Sequence, residues 1–170
     1  GDLIEAPYWQ VTSGDIDYLV MDYLAEVTMS ILQKQKNKDP KLGYARDIPP
    51  LMKRILPVCK DKGIKVITNG GGVNPQACAE AIAAVAAELG ITGLKIAVIE
   101  GDNIKDSLDE LLAAGAELAN METGEPITGV KDKLLSANVY FGAFPIVEAL
   151  QKGADIVITG RTTDTGLTLA

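Results

Sequence analysis

The sequence predicts an α/β fold in which a mostly parallel sheet is covered by helices on both of its faces. Apolar runs of strand length alternate along the chain with longer segments that have helical periodicity. Most of these runs are apolar on both faces, which is typical of strands buried on both sides of a parallel sheet. Hydrophobic residues make up 47% of the chain and aromatic residues only 5%, so the core must consist mainly of aliphatic side chains.

Five apolar segments are predicted to be strands. The first is interrupted by acidic residues and could end near Asp22, whereas the fourth could run through Tyr140. The others are short, uninterrupted and bounded by glycine or polar residues, which are the usual limits of a strand. The predicted strands are residues 16–24, 64–68, 94–99, 134–141 and 154–159.

The segments between these strands have the apolar spacing of helices. In the first of them, Val27, Ile31 and Leu32 are expected to face inward, and in the second, Pro57 should kink or end the helix. The predicted helices are residues 25–36, 45–61, 75–89, 104–114 and 143–152, while residues 1–15 are predicted to be loop or a short helix and 115–133 irregular. Alternating strands and helices in this order predict a three-layer, Rossmann-like arrangement with right-handed crossovers.

Composition limits the partners and the chemistry. A net charge of −7 and a pI near 4.6 argue against nucleic acid and against an anionic membrane surface as partners. No apolar run is long enough for a transmembrane helix, and no leader or lipidation signal is present, so we expect a cytoplasmic protein that acts on a small molecule. The chain has no histidine, which excludes Ser-His-Asp and Cys-His arrangements. Cys59 and Cys78 fall on apolar helix faces, where we expect inert buried thiols.

The carboxyl ends of the predicted strands are the expected location of a ligand crevice. In open parallel sheets ligands bind beyond these ends, and here each end carries glycine, amide, acidic, hydroxyl or arginine side chains, whereas the opposite ends are plainer. The candidate ligand-binding residues are Asn69, Gly70, Gly71, Gly72, Asn74, Glu100, Asp102, Asn138, Tyr140, Arg161 and Thr162.

Three consecutive glycines, Gly70–Gly72, separate a predicted strand from a predicted helix. They match neither the dinucleotide fingerprint nor the Walker loop. Asn74 could cap the helix and Pro75 suits its first position, so the glycines could leave bare N–H groups beside a helix N-terminus, which favours an anion. The alternative is a tight turn that packs closely against the rest of the chain.

The segment TGRTTDTG, residues 159–166, is a second candidate for anion binding. Arg161 beyond a strand end could hold a carboxylate or a phosphate with two parallel hydrogen bonds. Asp164 could orient Arg161 or act as a base. The alternative is that Thr162 caps a helix while Arg161 is solvated.

Acidic residues form a third candidate group. If residues 22–26 begin a helix, Asp22 and Glu26 lie one turn apart on the same face, where they could bind a divalent metal or share a proton. Glu100 and Asp102 could join them. The alternative is a solvated helix start. The candidate catalytic residues are Asp22, Glu26 and Asp164, and the identity of any metal or cofactor is left unknown.

Five segments of the chain together carry a family resemblance. In chain order they are GDIDYLVMDYLAEVTMSIL, GYARD, VITNGGGVNPQACAEAIAAVA, VIEGDN and SANVYFGAFPIVEALQKGADIVITGRTTD. With these segments the chain resembles, over nearly its whole length, the acyclic terpene utilisation protein AtuA family, long described as a domain of unknown function. The family pattern assigns no catalytic roles, but it is matched at Asp22, Glu26, Asn69 to Asn74, Glu100, Asp102, Asn138, Arg161 and Asp164.

The resemblance implies that residues 1–170 are a single α/β domain and a section of a longer protein. It also implies a place in the breakdown of terpenols or branched-chain acids through acyl-CoA esters. The first hypothesis is a lyase or hydratase that binds an anion and moves protons with carboxylates of raised pKa. The alternative is a non-catalytic ligand-binding or assembly module of an acyl-CoA carboxylase or lyase system. A metal-dependent enzyme and a homo-oligomer also remain open.

Overall fold

A computed structural model describes residues 3–170, which form four β-strands and seven α-helices. The strands are β1 (Tyr18–Met21), β2 (Lys65–Thr68), β3 (Ile96–Ile99) and β4 (Ile156–Thr159). The helices are α1 (Ala6–Ser13), α2 (Glu26–Lys38), α3 (Ile48–Lys62), α4 (Pro75–Glu88), α5 (Leu108–Ala113), α6 (Phe144–Gln151) and α7 (Asp164–Leu169). None of the helices in this described part of the chain is long and apolar enough to cross a membrane.

The sheet is parallel throughout, with the strand order β1-β2-β4-β3. The predicted α/β class and the mostly parallel sheet are therefore confirmed. Because all four strands run in one direction, their carboxyl ends lie along a single edge, which we call the carboxyl edge. Every segment that follows a strand starts at this edge.

Helices cover both faces of the sheet, which makes three layers. On one face α1, α3 and α4 enclose the larger core, in which Ile48, Met52 and Ile55 of α3 are fully buried. On the other face α6 and α7 enclose a smaller core around Ile146 and Leu167. The two strand faces are aliphatic, as the low aromatic content requires.

At the centre of the sheet, the connections that follow two adjacent strands lead to opposite faces. After β2 the chain leads to α4 on the larger-core face, whereas after the neighbouring β4 it leads to α7 on the smaller-core face. Adjacent strands whose connections diverge to opposite faces leave a crevice at their carboxyl ends. The loops after β2 and β4 therefore lie where a ligand site is expected.

The prediction of a strand over residues 134–141 is wrong. This segment is extended but pairs only through isolated bridges, Asn103 with Asn138 and Phe141 with Thr162. Its backbone hydrogen bonds go to loop residues at the carboxyl edge, such as Val139 N–H to the carbonyl of Asp102 at 2.8 Å. The apolar run thus covers the edge of the sheet and adds no strand to it.

Two helical details also differ from expectation. Val27 and Ile31 are exposed, whereas Leu32 is buried as predicted and packs with Met29 against Leu24. Pro57 does not end α3, which continues to Lys62, because Cys59 and its apolar neighbours still pack on the sheet beyond the proline.

Both cysteines are buried, as the helical spacing predicts. Burial in apolar surroundings raises the pKa of the Cys59 thiol to about 11 and that of Cys78 to about 12. Since the thiolate is the reactive form, both side chains should be chemically inert in the folded protein.

Ellman's reagent at pH 8 should therefore leave both thiols of the native protein unmodified and titrate two thiols after unfolding in guanidinium chloride. Glutathione under the same conditions serves as the reactive reference. Modification of either native cysteine at the rate of glutathione would contradict this burial.

Candidate functional site

Arg161 lies at the centre of the carboxyl edge, two residues after β4. Only 4% of its surface is exposed, and its guanidinium is held by the segment that follows β1. Its Nη1 donates to the Leu24 carbonyl at 2.7 Å and its Nη2 donates to Glu26 Oε1 at 3.3 Å. The ring of Tyr140 stacks over the guanidinium at 4.1 Å from its centroid, a cation–π contact.

Two carboxylates balance the charge of Arg161. Asp164 Oδ1 lies 3.6 Å from Nη1, and Glu26 is the partner of Nη2. The side chains of Glu26 and Asp164 are 75% and 68% exposed, so a buried cation has counter-charges that extend into solvent. Such carboxylates can separate from the guanidinium and remain hydrated by the surrounding water.

The Nε of Arg161 is a buried donor without an acceptor among the described residues, although buried polar atoms are nearly always paired. The alternative interpretation of this segment, a solvated Arg161 beside a Thr162 cap, is wrong. Thr162 is fully buried and its hydroxyl pairs with that of Thr159 at 2.7 Å, while α7 begins after Thr163.

Asp102 joins three segments beneath this site. Its buried carboxylate accepts hydrogen bonds from the backbone N–H of Arg161 and from Asn138 Nδ2, each at 2.9 Å. A Cβ on Gly160 would lie 2.7 Å from the carboxyl carbon of Asp102, so a glycine is needed for this approach. The loop after β3, the Asn138 segment and the loop after β4 are thereby held together.

Tyr140 closes the site from the solvent side. Its hydroxyl donates a short hydrogen bond to Glu26 Oε1, the same oxygen that faces Arg161. The flanking residues are anchored, since Asn138 bonds to Asp102 and Phe141 N–H donates to the Arg161 carbonyl at 3.1 Å. Tyr140 itself is about half exposed, so it forms a partial cover over the guanidinium.

The electrostatics of Glu26 follow from these contacts. The hydrogen bond from Tyr140, followed by a backbone hydrogen bond and the attraction of Arg161, lowers the pKa of Glu26 below its ordinary value. A carboxylate with a lowered pKa is a weak base and stays ionised at neutral pH. This direction is opposite to the raised carboxylate pKa that the lyase or hydratase hypothesis requires.

Asp22 and Glu26 do not share a helix face, so that expectation is wrong. The helix begins at Glu26, and Asp22 lies in the extended connection before it. Asp22 Oδ1 accepts hydrogen bonds from Leu24 N–H at 3.1 Å and from the fully buried Asn69 at 2.6 Å, and these bonds hold the connection extended. Asn69 Oδ1 in turn accepts from Tyr23 N–H at 2.7 Å.

Most backbone donors of the glycine loop are occupied, so the expectation of bare N–H groups holds only for Gly71, whose N–H has no acceptor among residues 3–170. Gly70 N–H donates to the Thr68 hydroxyl and Gly72 N–H to the Asn69 carbonyl. The N–H groups of Val73 and Asn74 donate to the carbonyls of Gly43 and Gly71. Four of the five donors from Gly70 to Asn74 thus bond to the protein itself.

The glycine side-chain positions are also occupied by the protein. A Cβ on Gly70 would clash with Ile48, and one on Gly72, whose φ is +57°, would lie 2.7 Å from the Gly43 carbonyl oxygen. On Gly71 it would lie 2.6 Å from both Pro75 Cβ and the Thr159 carbonyl oxygen. Close packing therefore accounts for all three glycines, and their role in ligand binding stays a prediction.

Among residues 3–170 neither Asn74 nor Glu100 forms a hydrogen bond or an ion pair with Arg161. Asn74 precedes α4 but makes no side-chain cap, and its Nδ2 donates to the carbonyls of Pro40 and Leu42 at 2.9 and 2.7 Å. Glu100 is exposed and lines a cavity between β3 and α6. In the described part of the chain no three acidic or cysteine side chains are grouped so as to hold a metal ion, so Asp22, Glu26 and Asp102 do not form the metal site considered above.

The site thus gathers a subset of the sequence candidates. Arg161, Glu26, Tyr140, Asp164, Asp102 and Asn138 converge directly, and Asn69 with Asp22 adjoins them through the connection after β1. Sequence reasoning missed the Leu24 carbonyl and Gly160. A backbone acceptor leaves no signal in a side-chain pattern, whereas a glycine directly before the arginine could have suggested the close approach of Asp102.

Comparison with known proteins gives one positive result. The family model described as acyclic terpene utilisation family protein AtuA matches residues 1–170, the whole chain. No curated protein and no solved structure gives a significant match.

The substitution Gly71→Ala should lower the free energy of unfolding by about 1–3 kcal/mol, the usual cost of inserting an atom into a filled space. The measurement is urea denaturation followed by circular dichroism. Gly129→Ala is the matched control, because a Cβ there meets nothing within 4 Å. Equal stability of the two variants would show that the glycine loop is not packed as described.

Replacing Tyr140 by phenylalanine should raise the pKa of Glu26 towards its ordinary value, since the tyrosine hydroxyl is the main cause of its lowering. The Glu26 carboxyl carbon can be followed by NMR as a function of pH. With a lowered folded-state pKa, these contacts stabilise the protein above the unfolded-state pKa of Glu26 and are lost as the pH falls through the folded value. Tyr18→Phe, at an exposed tyrosine, should leave this titration unchanged.

Proposed function

Since the chain belongs to the acyclic terpene utilisation AtuA family, we propose that it serves this process by binding a small anionic ligand at the carboxyl edge of its sheet. The ligand is a carboxylate or a phosphate, a class that includes acyl-CoA esters and the acids derived from them. Arg161 is the residue that holds the anion. The supporting observation is that the buried guanidinium of Arg161 has an Nε without an acceptor among residues 3–170. Its two carboxylate partners, Glu26 and Asp164, are largely exposed.

The donor pattern of Arg161 fits an incoming oxyanion. Nη1 is engaged by the Leu24 carbonyl, but Nε has no acceptor among the described residues and Nη2 has only a 3.3 Å contact with Glu26. Nε and Nη2 lie on the same side of the guanidinium, so together they can donate two parallel hydrogen bonds to a carboxylate or a phosphate. This bidentate arrangement satisfies the buried donor.

The counter-charges determine how binding occurs. The carboxylates of Glu26 and Asp164 are largely exposed, so each can exchange its contact with Arg161 for hydration by water. An anion can therefore replace Glu26 on Arg161, while Glu26 moves into water. The released Tyr140 hydroxyl then becomes a further donor to the ligand.

A second candidate function is a binding or assembly module without catalysis. It is favoured by the lowered pKa of Glu26, which makes this carboxylate a poor proton carrier at neutral pH. In the enzymatic alternative, a lyase or hydratase, Asp22 or Asp164 would have to move the proton. Binding of the anion is common to both.

Arg161→Lys should weaken anion binding by about tenfold to 150-fold, because lysine keeps the charge but loses the bidentate geometry, and a charge-assisted hydrogen bond contributes about 1.5–3 kcal/mol. Isothermal titration calorimetry with 3-methylbutanoate, its CoA thioester and inorganic phosphate measures the effect. Circular dichroism melting confirms that the variant is folded.

Arg46→Lys is the matched control. Arg46 is exposed just before α3, where we expect no contact with the probes, so this variant should bind them with unchanged affinity. The anion role of Arg161 is rejected if both arginine variants bind every probe with the affinity of the unsubstituted protein. A loss that is equal for both variants would indicate a non-specific charge effect and would equally count against it.

A further inference from the structure

A second concave site lies at the carboxyl end of β1, on the side of α1 and α3. It is a cavity of about 510 Å³, within the usual range for small-molecule sites. Arg161 and the glycine loop are not among the residues that line it. Its ligand preference can therefore be argued independently of the anion site.

The walls of this cavity are apolar. Met21 and Leu51 contribute from β1 and α3, and Leu3, Ile4 and Pro7 contribute from the segment that enters α1. Leu3 and Ile4 are strongly exposed, Ile4 by 77%. Covering such side chains with an apolar molecule removes their surface from water, which is favourable by about 25 cal/mol per Å².

The charged side chains of the cavity are carboxylates. Asp22 and Asp47 line it together with Tyr23, and among residues 3–170 no lysine or arginine does. Within the same residues neither aspartate forms an ion pair. Asp22 uses its Oδ1 for Leu24 and Asn69, which leaves Oδ2 as an acceptor. The Tyr23 hydroxyl can donate or accept, whereas an ionised carboxylate can only accept, so the two aspartates favour a ligand whose polar end is a donor.

The other large cavities lack this combination. The one between β3 and α6, about 500 Å³, is lined by Lys95, Lys152, Glu100 and Glu148, so its charges are mixed. The one between α4 and β3, about 430 Å³, has no charged residue in its lining. The cavity beside β1 differs from these two, because it combines apolar walls with charged residues that are all acidic.

We propose that the cavity beside β1 binds an apolar molecule that ends in a hydrogen-bond donor, namely an alcohol or an amine. The apolar part lies against Leu3, Ile4 and Leu51, and the hydroxyl or ammonium group donates to Asp22 and Asp47. This preference is opposite in sign to that of Arg161. The protein then offers two sites of different chemistry along one edge of its sheet.

Three probes with the same tail test the proposal: octan-1-ol, octylammonium and octanoate. Titrations followed by the methyl resonances of labelled Ile, Leu and Met should show saturable shifts of Leu3, Ile4, Met21 and Leu51 with the first two probes. Octylammonium should bind about twofold to fivefold more tightly than octan-1-ol, the range of an exposed ion pair. Octanoate should bind most weakly at these methyl groups, because two carboxylates repel it.

Paired variants separate the tail from the head group. Ile4→Gln should weaken octan-1-ol at least about threefold through lost apolar contact, whereas Ile31→Gln, at an exposed isoleucine on α2, should not. Asp47→Asn should reduce the preference for octylammonium over octan-1-ol, because only the carboxylate of Asp22 then remains. Asp61→Asn, at an exposed aspartate on α3 that does not line the cavity, should retain it.

The proposal is overturned if octan-1-ol causes no saturable shift of these methyl groups, if Ile4→Gln and Ile31→Gln have equal effects, or if octanoate binds the cavity as tightly as octylammonium. Inorganic phosphate keeps the two proposals apart. Ile4→Gln should leave phosphate binding, measured by calorimetry, unchanged, because Arg161, the residue proposed to hold phosphate, does not line the cavity.

Discussion

The buried charge of Arg161 is the constraint on which the carboxyl edge depends. A buried cation costs several kcal/mol unless it is paired and hydrogen-bonded, and the partners of Arg161 come from different parts of the chain. The connection after β1 supplies the Leu24 carbonyl and Glu26, and the start of α7 supplies Asp164. Satisfying one guanidinium therefore fixes how the loops after β1 and β4 meet.

Close packing of the glycine loop provides the other half of this arrangement. Each glycine faces a different neighbour, since Gly70 lies against Ile48 of α3, Gly71 against Thr159 of β4 and Gly72 against Leu32 of α2. The loop after β2 is thus closely packed against α3, β4 and α2. Most of its backbone N–H groups donate to acceptors within the protein. A rigid loop at this point keeps Asn69 aligned to hold Asp22, which makes the glycines part of the support for the site.

Sequence patterns anticipated those features that depend on local periodicity. The strands β2, β3 and β4 and the helices between them follow from uninterrupted apolar runs and 3.6-residue spacing. Residues 134–141 show the limit, because an apolar extended segment looks the same whether it joins a sheet or covers its edge, and only its partners decide. Asn74 shows the same limit of sequence prediction. Asparagine is a common helix N-cap, yet the side-chain Nδ2 of Asn74 donates to the carbonyls of Pro40 and Leu42. The orientation of its amide therefore depends on tertiary contacts, which a local pattern does not show.

The connection after β1 links the two proposed sites. Its first residue, Asp22, lines the cavity beside α1, its carbonyl at Leu24 holds Arg161, and Glu26 at its end pairs with the guanidinium. Both sites therefore share one short segment, which Asn69 and Arg161 hold through hydrogen bonds. If displacement of Glu26 by an anion were to move Asp22, the two sites would be coupled, and such coupling must be reciprocal. An alcohol or amine in the cavity would then change the affinity for the anion by the same factor as the anion changes the affinity for the alcohol or amine.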